Sequence, residues 1–328
     1  MKRSFKFVCR PSFDGMSINK CLRDFLSVVF SLISFPMRID RAKITRFRVN
    51  SETKYSENDV VAIEEPLQIE LLHNNQRQTH SITMRTPGND EYLAYGLLFA
   101  EGVITSADEI ESIHLSKIKG DVETSDFEDS RFEANSIEVK LSDSIDLSSK
   151  LTPRKMTSYS SCGICGKTSL KALALKNPRE QRKLHSEINP KQVLAVRKTL
   201  AKQSLFGGTG GSHVAGVVYE SEVDTESKVK RHHQLDFDKA ICFEDVGRHN
   251  ALDKLIGSEL LHNNLSKAGV VILSGRVGFE LVQKVVMAGF STIIALGAPS
   301  DLSIKTANQF GVTLIGFAKD EQYNLYTF

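Results

Sequence analysis

VVILSGR, at residues 270–276, sets the architecture of this chain. Its four apolar residues are typical of a strand buried on both faces of a sheet, and a small polar turn follows them directly. A helical pattern at 279–287 comes next, and two similar units follow: strand 292–296 with helix 302–310, and strand 312–315. Strands that alternate with helices in this way predict an α/β domain with a mostly parallel sheet.

The segments before this stretch extend the pattern. Strands are predicted at 214–219 and 240–244, with helices at 192–203 and 251–261. Towards the N terminus a helix is predicted at 91–100, and short alternating runs predict strands at 60–63, 67–71, 81–84 and 137–141, with another around Ile113. We therefore predict a small α+β domain at 41–150 and an α/β domain at 151–328.

Residues 1–40 fit neither domain. The apolar run at 25–33 is too short for a membrane span, and its surroundings lack a small-residue signal-peptide cleavage site. We predict an extension outside the domains or an upstream mis-assigned start, with an amphipathic membrane-touching segment as the alternative. An acidic stretch at 119–135 is predicted to be a solvated loop.

Composition narrows the class of protein. Of the 328 residues, 41% are hydrophobic and 25% are charged, as in ordinary soluble proteins. The 42 Lys and Arg residues nearly balance the 40 Asp and Glu residues, so bulk nucleic-acid binding is not indicated. Five cysteines, an odd number, do not suggest a disulfide framework. We expect a protein of the reducing cytoplasm that binds neither nucleic acid nor membrane.

SSCGICG, at residues 160–166, carries the strongest chemical signal. A helical pattern at 167–176 follows Cys162 and Cys165, and a helix N-terminus lowers the pKa of a nearby thiol and makes it more nucleophilic. Half of a zinc site, a thioredoxin-like redox pair and two packed thiols without chemistry are the alternatives. No second Cys-x-x-Cys is present and the preceding stretch is polar, so we favour reactive thiols.

Basic and small residues follow four of the predicted strands, at 245–250, 274–276, 297–300 and 316–320. Arg248 and His249 come after strand 240–244, and Ser274, Gly275 and Arg276 come after strand 270–273. Ligands of open α/β sheets bind outside the carboxyl ends of the strands. Because arginine side chains and helix N-terminal amides suit phosphate, we predict an anion site at this edge.

Two histidines are candidates for catalytic or metal-binding groups. His213 begins a strand after the glycine-rich loop at 209–212, so it either faces a cleft as an acid or base or is a hydrogen-bonded structural residue. His185 opens a His-Ser-Glu sequence that resembles part of a zinc deaminase signature, but its order relative to the cysteines is inverted and no proline precedes Cys162. We therefore predict no metal ligand set and no zinc.

Together these motifs resemble the formate dehydrogenase accessory sulfurtransferase family, FdhD/NarQ. The resemblance runs from about Thr45 to Phe328. In chain order its motifs are EEPL at 64–67, MRTPG at 84–88, SCGICG at 161–166, TGGSH at 209–213, EDVGRHNA at 244–251 and SGR at 274–276. Several independent motifs in the family's order are far more specific than any one of them.

The resemblance implies a sulfur carrier that takes sulfur from a cysteine desulfurase. It passes the sulfur to molybdenum bis(molybdopterin guanine dinucleotide), the cofactor that the client formate dehydrogenase requires, and GDP is the expected mimic of that ligand. The implied fold is cytidine-deaminase-like, with three layers and no zinc, and the implied assembly is a homodimer. Cys162 matches the persulfide-bearing position, and Cys165 is expected to assist release.

The resemblance also implies a cofactor contact near the C terminus. The matching loop comprises Phe317, Ala318, Lys319, Asp320, Glu321 and Gln322. Two other functions remain open at this point. A molybdenum-cofactor-binding chaperone would use its cysteines only to hold the ligand or to sense redox state, and a dithiol oxidoreductase would reduce disulfides.

Overall fold

The computed structural model describes residues 39–48, 53–117, 135–147, 179–223, 232–319 and 321–327. These residues belong to one compact unit, Met37–Phe328. The predictions for residues 1–36, for most of the acidic stretch, for Cys162 and Cys165 with the helix after them, and for Asp320 lie outside the described residues. The predicted domain boundary at 150 stays a prediction.

The N-terminal part of the described chain contains a hairpin, a four-stranded sheet and one helix. The hairpin pairs β1 (Ile39–Arg48) with β2 (Thr53–Ala62). The sheet has the order β4-β3-β6-β5, and helix α1 spans Asp90–Ala100. Its strands are β3 (Glu65–His73), β4 (Gln76–Arg85), β5 (Ile110–Lys117) and β6 (Asn135–Leu141).

The C-terminal part contains a seven-stranded sheet and its helices. The strands are β7 (His213–Val223), β8 (His232–Leu235), β9 (Ile241–Asp245), β10 (Gly269–Leu273), β11 (Thr292–Ala295), β12 (Thr313–Gly316) and β13 (Asn324–Leu325). The helices are α2 (Pro190–Ala201), α3 (Ser204–Thr209), α4 (Arg248–Leu261), α5 (Phe279–Ala288) and α6 (Asp301–Gln309). Among the described residues, no helix has the length and apolar character needed to cross a bilayer.

This sheet is mixed, so the prediction of a mostly parallel sheet was wrong. Only β10–β11 and β11–β12 pair in parallel, whereas β7 is antiparallel to β8, β9 and β10, and β12 is antiparallel to β13. The reason lies in the connections. Helices α5 and α6 carry the chain back between parallel strands, but no α-helix is described between β7 and β9, and β9 returns antiparallel. The cytidine-deaminase-like layering stays a prediction.

Helices cover both faces of this sheet, as continuous apolar runs indicate. Val270 and Ile272 of β10 belong to the core cluster that contains residues of α2. Val271 and Leu273, which point to the other face, belong to the cluster that contains residues of α1, α4 and α5. Residues of β3 and β6 join this second cluster, so one core runs from the four-stranded sheet through the helices to the seven-stranded sheet.

Helices α1 and α4 approach each other unusually closely. A Cβ added at Gly96 would lie 1.8 Å from the carbonyl oxygen of Asp253, and one added at Gly257 would lie 1.9 Å from that of Tyr92. Only glycine leaves room for such backbone contact. This contact fixes the position of α4, whose first residues carry the predicted anion-binding motif.

Candidate anion-binding site

Five elements meet at one edge of the seven-stranded sheet. Strands β9 and β10 are both antiparallel to β7 and therefore run in the same direction, and β11 and β12 are parallel to β10. The carboxyl ends of β9 to β12 and the amino end of β7 thus lie at the same edge. The predicted site residues still meet at this edge although β7 runs antiparallel to its neighbours. They do so because β7 contributes its first residue, His213, to the edge.

His213, Arg248, His249 and Arg276 form a group that we call the cationic edge. A Cβ added at Gly275 would lie 3.1 Å from Nδ1 of His213 and 3.8 Å from Cδ of Arg248. Gly275 therefore allows the imidazole and the arginine side chain to lie directly against the turn that ends β10. The predicted site residues at 213, 248 and 275 are brought together.

The electrostatic character of this edge is visible in His213. Burial lowers the pKa of His213 below its ordinary value, and electrostatic interactions with Arg248, His249 and Arg276 lower it further. Among the described residues, neither Arg248 nor Arg276 has an ion pair. A positive potential that disfavours another proton favours an anion at the same place.

Two buried polar atoms at this edge lack hydrogen-bond partners among the described residues: Nδ1 of His249 and Oγ of Ser212. Nε2 of His249 lies 2.9 Å from Oε2 of Glu280, so the carboxylate orients the ring and leaves Nδ1 directed elsewhere. Ser212 immediately precedes His213 and is 5% exposed. Because buried polar atoms are almost always hydrogen-bonded, such orphans favour a ligand.

Two helices begin near this edge without side-chain caps. The N-cap residues of α4 and α5 are Gly247 and Gly278, and neither helix has a side-chain cap hydrogen bond. In contrast, the side chain of Ser300 accepts from Ser303 N at the start of α6. The first amides of α4 and α5 add the positive ends of two helix dipoles to the cationic side chains.

Asp245 lies next to this edge but is fully occupied by other partners. We call Asp245, Lys254, Thr86 and Asn250 the Asp245 cluster. The carboxylate of Asp245 accepts hydrogen bonds from Lys254 Nζ at 2.7 Å, Thr86 N at 3.1 Å, Gly247 N at 2.8 Å and Asn250 Nδ2 at 3.3 Å. Two roles are open to a carboxylate at this position: accepting from a guanine base or capping the following helix. Four donors leave no lone pair for guanine, and Asp245 instead holds the first turn of α4.

The Asp245 cluster explains why the motifs at 84–88 and 244–251 occur together. Lys254 Nζ also donates to Thr86 O at 2.8 Å, Val246 N donates to Thr86 Oγ1 at 3.2 Å, and Asn250 Nδ2 donates to Met84 O at 2.7 Å. The two motifs are therefore joined by hydrogen bonds. These bonds hold in place the start of α4, which carries Arg248 and His249.

Glu244 holds the loop before His213 in place. This carboxylate is 2% exposed and accepts from the backbone N–H groups of Leu205 and Phe206 at 3.2 and 2.6 Å. It therefore satisfies the amino end of α3, and α3 leads into the glycine-rich loop and His213.

The remaining predicted site residues lie at the end of β10 and in the C-terminal loop. Ser274 ties β10 to β7, because Val214 N donates to its Oγ at 2.8 Å. In the C-terminal loop, Phe317 N donates to Gly297 O at 3.2 Å, which brings the loop to the same edge, whereas the side chain of Ala318 is 1% exposed and packs in the core. Lys319, Glu321 and Gln322 are exposed. Arg276 is exposed beyond the end of β10.

Sequence reasoning did not find Glu280, Ser212 or Lys254 as parts of this region. Glu280 follows Gly278 at the start of a predicted helix, and an acidic residue there reads as an ordinary first-turn residue. Lys254 lies on a helix that is buried on all sides. No local sequence pattern predicted that this lysine is buried. Only the spatial meeting of distant segments reveals these roles.

Comparison with known proteins places the chain in a family. The sequence model of the FdhD/NarQ family matches residues 62–328. This chain belongs to the FdhD/NarQ family. The resemblance noted in the sequence is confirmed.

Relatives in this family are similar over nearly their whole length. The sulfur carrier protein FdhD of Sulfurisphaera tokodaii is 34% identical over 293 residues, which are 89% of this chain and 98% of the relative. That of Mycolicibacterium paratuberculosis is 33% identical over 276 residues, 82% of this chain and 90% of the relative. A crystal structure described as a formate dehydrogenase accessory protein from Desulfotalea psychrophila superimposes with a TM-score of 0.61 at 22% identity. It covers 89% of this chain and 98% of that one, and it supports the fold.

Proposed function

We propose that this chain is a sulfur carrier that serves a formate dehydrogenase. It receives sulfur from a cysteine desulfurase as a persulfide on Cys162 and passes it to molybdenum bis(molybdopterin guanine dinucleotide). Membership of a family whose relatives are named sulfur carriers supports the general role. The observation that carries the nucleotide part is the cationic edge, where the part of the chain that the structure describes gives Arg248 and Arg276 no ion pair and gives two buried polar atoms no hydrogen-bond partner.

The loading step is a thiol–persulfide exchange. The thiolate of Cys162 attacks the outer sulfur of the donor's persulfide, a sulfur–sulfur bond forms at Cys162, and the donor's sulfur–sulfur bond breaks to release its thiolate. No net oxidation occurs, and one proton follows the transferred sulfur. Cys165 assists release in one of two ways. Its thiolate attacks the inner sulfur of the Cys162 persulfide, so that a Cys162–Cys165 disulfide forms, the outer sulfur leaves as sulfide and a thiol reductant later reduces the disulfide, or it attacks the outer sulfur and takes it over while Cys162 leaves as a thiolate.

The acceptor's phosphates suit the cationic edge. Arg248 and Arg276 supply guanidinium groups, each of which binds two phosphate oxygens. The first backbone N–H groups of α4, which have no side-chain cap, add further hydrogen-bond donors. His249 is held by Glu280, so its Nδ1 offers a further donor when the ring is protonated. We propose that GDP binds here as the minimal mimic of the dinucleotide.

A molybdenum-cofactor-binding chaperone without covalent sulfur chemistry is the alternative, because the cationic edge supports binding on its own. The two functions differ in whether sulfur is ever bound covalently to this chain. On the basis of the family resemblance we also propose a homodimer in the cytoplasm, and light scattering on the purified protein tests the dimer.

Persulfide trapping tests the proposed function. The protein is incubated with a cysteine desulfurase and cysteine, alkylated and digested. We expect an adduct of about +32 Da on the peptide with Cys162. The matched control is Cys242→Ala, because burial and then Glu244 raise the pKa of the Cys242 thiol to about 12, so that it stays protonated and unreactive.

The outcomes separate the candidates. Cys162→Ala is expected to lose the adduct and formate dehydrogenase maturation, while Cys242→Ala keeps both. A Cys162→Ala protein that supports full maturation overturns the sulfur relay and leaves the chaperone.

A further inference from the structure

A cluster of potential metal ligands lies well away from the cationic edge. We call His185, Glu220 and His233 the His–Glu–His cluster. Glu220 is seven residues along β7 from His213, which is about 23 Å at the usual rise of a strand. His233 lies on the neighbouring strand β8, and His185 lies in the segment before α2. The proposed sulfur relay does not use these residues.

The three side chains converge on one point. Their ligand atoms all lie within 4.8 Å of one another. Nδ1 of His185 is 2.9 Å and Nδ1 of His233 is 3.9 Å from the same atom, Oε2 of Glu220. Tetrahedral Zn²⁺ with bonds of about 2.0–2.1 Å separates its ligands by about 3.3 Å. The two observed distances bracket that value, so small side-chain rotations suffice to admit an ion.

The carboxylate of Glu220 is held in place by other donors. Ser186 donates to Oε1 from its backbone N and from its Oγ, both at 2.6 Å, and His185 N donates to the carboxylate as well. The Glu220 side chain is 3% exposed. Ligating carboxylates in metal sites are themselves hydrogen-bonded in this way, because those bonds fix their orientation. Among the described residues, Oε2 accepts from the backbone N and from Nδ1 of His185, and an ion replaces the Nδ1–H contact.

The two rings leave access from solvent. His185 and His233 stack with centroids 4.4 Å apart and an interplanar angle of 16°. The His185 side chain is 65% exposed, so it can rotate, and its proton can move from Nδ1 to Nε2 without a change in charge. Water completes the coordination on the open side.

We propose that His185, Glu220 and His233 bind one divalent first-row transition-metal ion, with Zn²⁺ as the reference. Two imidazoles and one carboxylate suit Zn²⁺, Ni²⁺ or Cu²⁺ and not Mg²⁺ or Ca²⁺, which prefer oxygen ligands. The ion fastens the segment before α2, which already contacts Glu220 and His233, to the paired strands β7 and β8. Sequence spacing does not reveal this set, because Glu220 and His233 lie far from His185 in the chain.

The test uses the full chain with Cys162→Ser and Cys165→Ser, so that thiols of the sulfur relay cannot supply the signal. Zn²⁺ is titrated by calorimetry into this protein and into versions that also carry His233→Ala or His114→Ala. His114 is an exposed histidine on β5 and serves as the matched control. We expect one Zn²⁺ per chain, a loss of affinity of at least tenfold with His233→Ala, and no change with His114→Ala.

Electron paramagnetic resonance of Cu²⁺ bound to the parent protein gives a second test that does not depend on whether the His233→Ala variant folds. We expect hyperfine coupling to two nitrogen nuclei. Equal Zn²⁺ affinity in the parent and in His233→Ala, or a Cu²⁺ spectrum without nitrogen coupling, overturns the proposal and leaves a stacked, hydrogen-bonded histidine pair. Neither outcome bears on persulfide formation, so the proposed function stands or falls separately.

Discussion

Asp245 and Arg248 lie within one turn of chain, yet their charges meet opposite surroundings. Asp245 is 0% exposed and is matched by Lys254 and three further donors. Arg248, half-buried, has no ion pair among the described residues and faces other cations. Since a buried charge is tolerated only when it is paired, the Asp245 cluster is complete in itself. The Asp245 cluster therefore stabilises the fold, whereas we propose that the cationic edge binds an anion.

Lys254→Met tests the structural half of this comparison and has the largest expected effect. Removing the ammonium leaves Asp245 buried without its counter-ion, so the free energy of unfolding should fall by about 3–5 kcal/mol. Urea denaturation followed by circular dichroism measures it. The control is Lys305→Met, which breaks an exposed pair with Asp301 and should cost less than about 1 kcal/mol. Similar losses in both variants would remove the special role of the buried pair.

Arg248→Ala tests the binding half. Loss of a guanidinium that contacts phosphate should weaken GDP affinity about 10- to 100-fold, because hydrogen bonds to charged groups contribute about 1.5–3 kcal/mol. Calorimetry measures the dissociation constant. Lys198→Ala, which removes an exposed cation of α2, is the control and should bind GDP like the parent. Equal affinity in the Arg248→Ala and Lys198→Ala proteins contradicts the assignment.

Arg276→Ala sharpens the picture of the same edge. Arg276 is exposed, so water screens its charge and the loss of GDP affinity should be about tenfold or less. Calorimetry at low and high salt provides the measurement, and the difference between parent and variant should shrink as salt rises. An unchanged affinity at low salt removes Arg276 from the site.

The pH dependence of stability gives the smallest effect. The pKa of His213 is lowered in the folded protein, first by burial and then by the neighbouring cations, so the unfolded chain binds the proton more tightly. His213 therefore imposes a loss of stability as the pH falls below about 6.5, and none above it. Urea unfolding of the parent and of His213→Gln from about pH 8 to pH 5.5 checks this. A parallel pH dependence in the two proteins would contradict a lowered pKa of His213 in the folded protein.

Much of the fold was readable from local pattern. Strands such as 270–273 and helices such as 279–287 agree with β10 and α5 to within a residue. The direction of β7 was not readable, because a buried apolar run looks the same in either direction and only its pairing decides. Strands β1, β8 and β13 were also missed. The last has two residues and no pattern of its own.

The site was predictable where residues follow strands and not where segments meet. Arg248, Ser274 and Gly275 could be placed because chain order locates the end of a strand. The roles of Glu280 and Lys254 could not be predicted. Their ion-pair partners, His249 and Asp245, lie on other elements or turns of the fold, and no sequence spacing indicates these contacts. His185 was weighed as part of a zinc deaminase sequence, whereas its neighbours in space are Glu220 and His233.

A crystal structure of the protein with GDP would show whether the cationic edge binds the nucleotide. We expect phosphate oxygens at about 2.7–3.2 Å from Arg248 and from Nδ1 of His249, at the carboxyl ends of β9 and β10. GDP bound on another surface, with the cationic edge holding only solvent, would contradict this expectation.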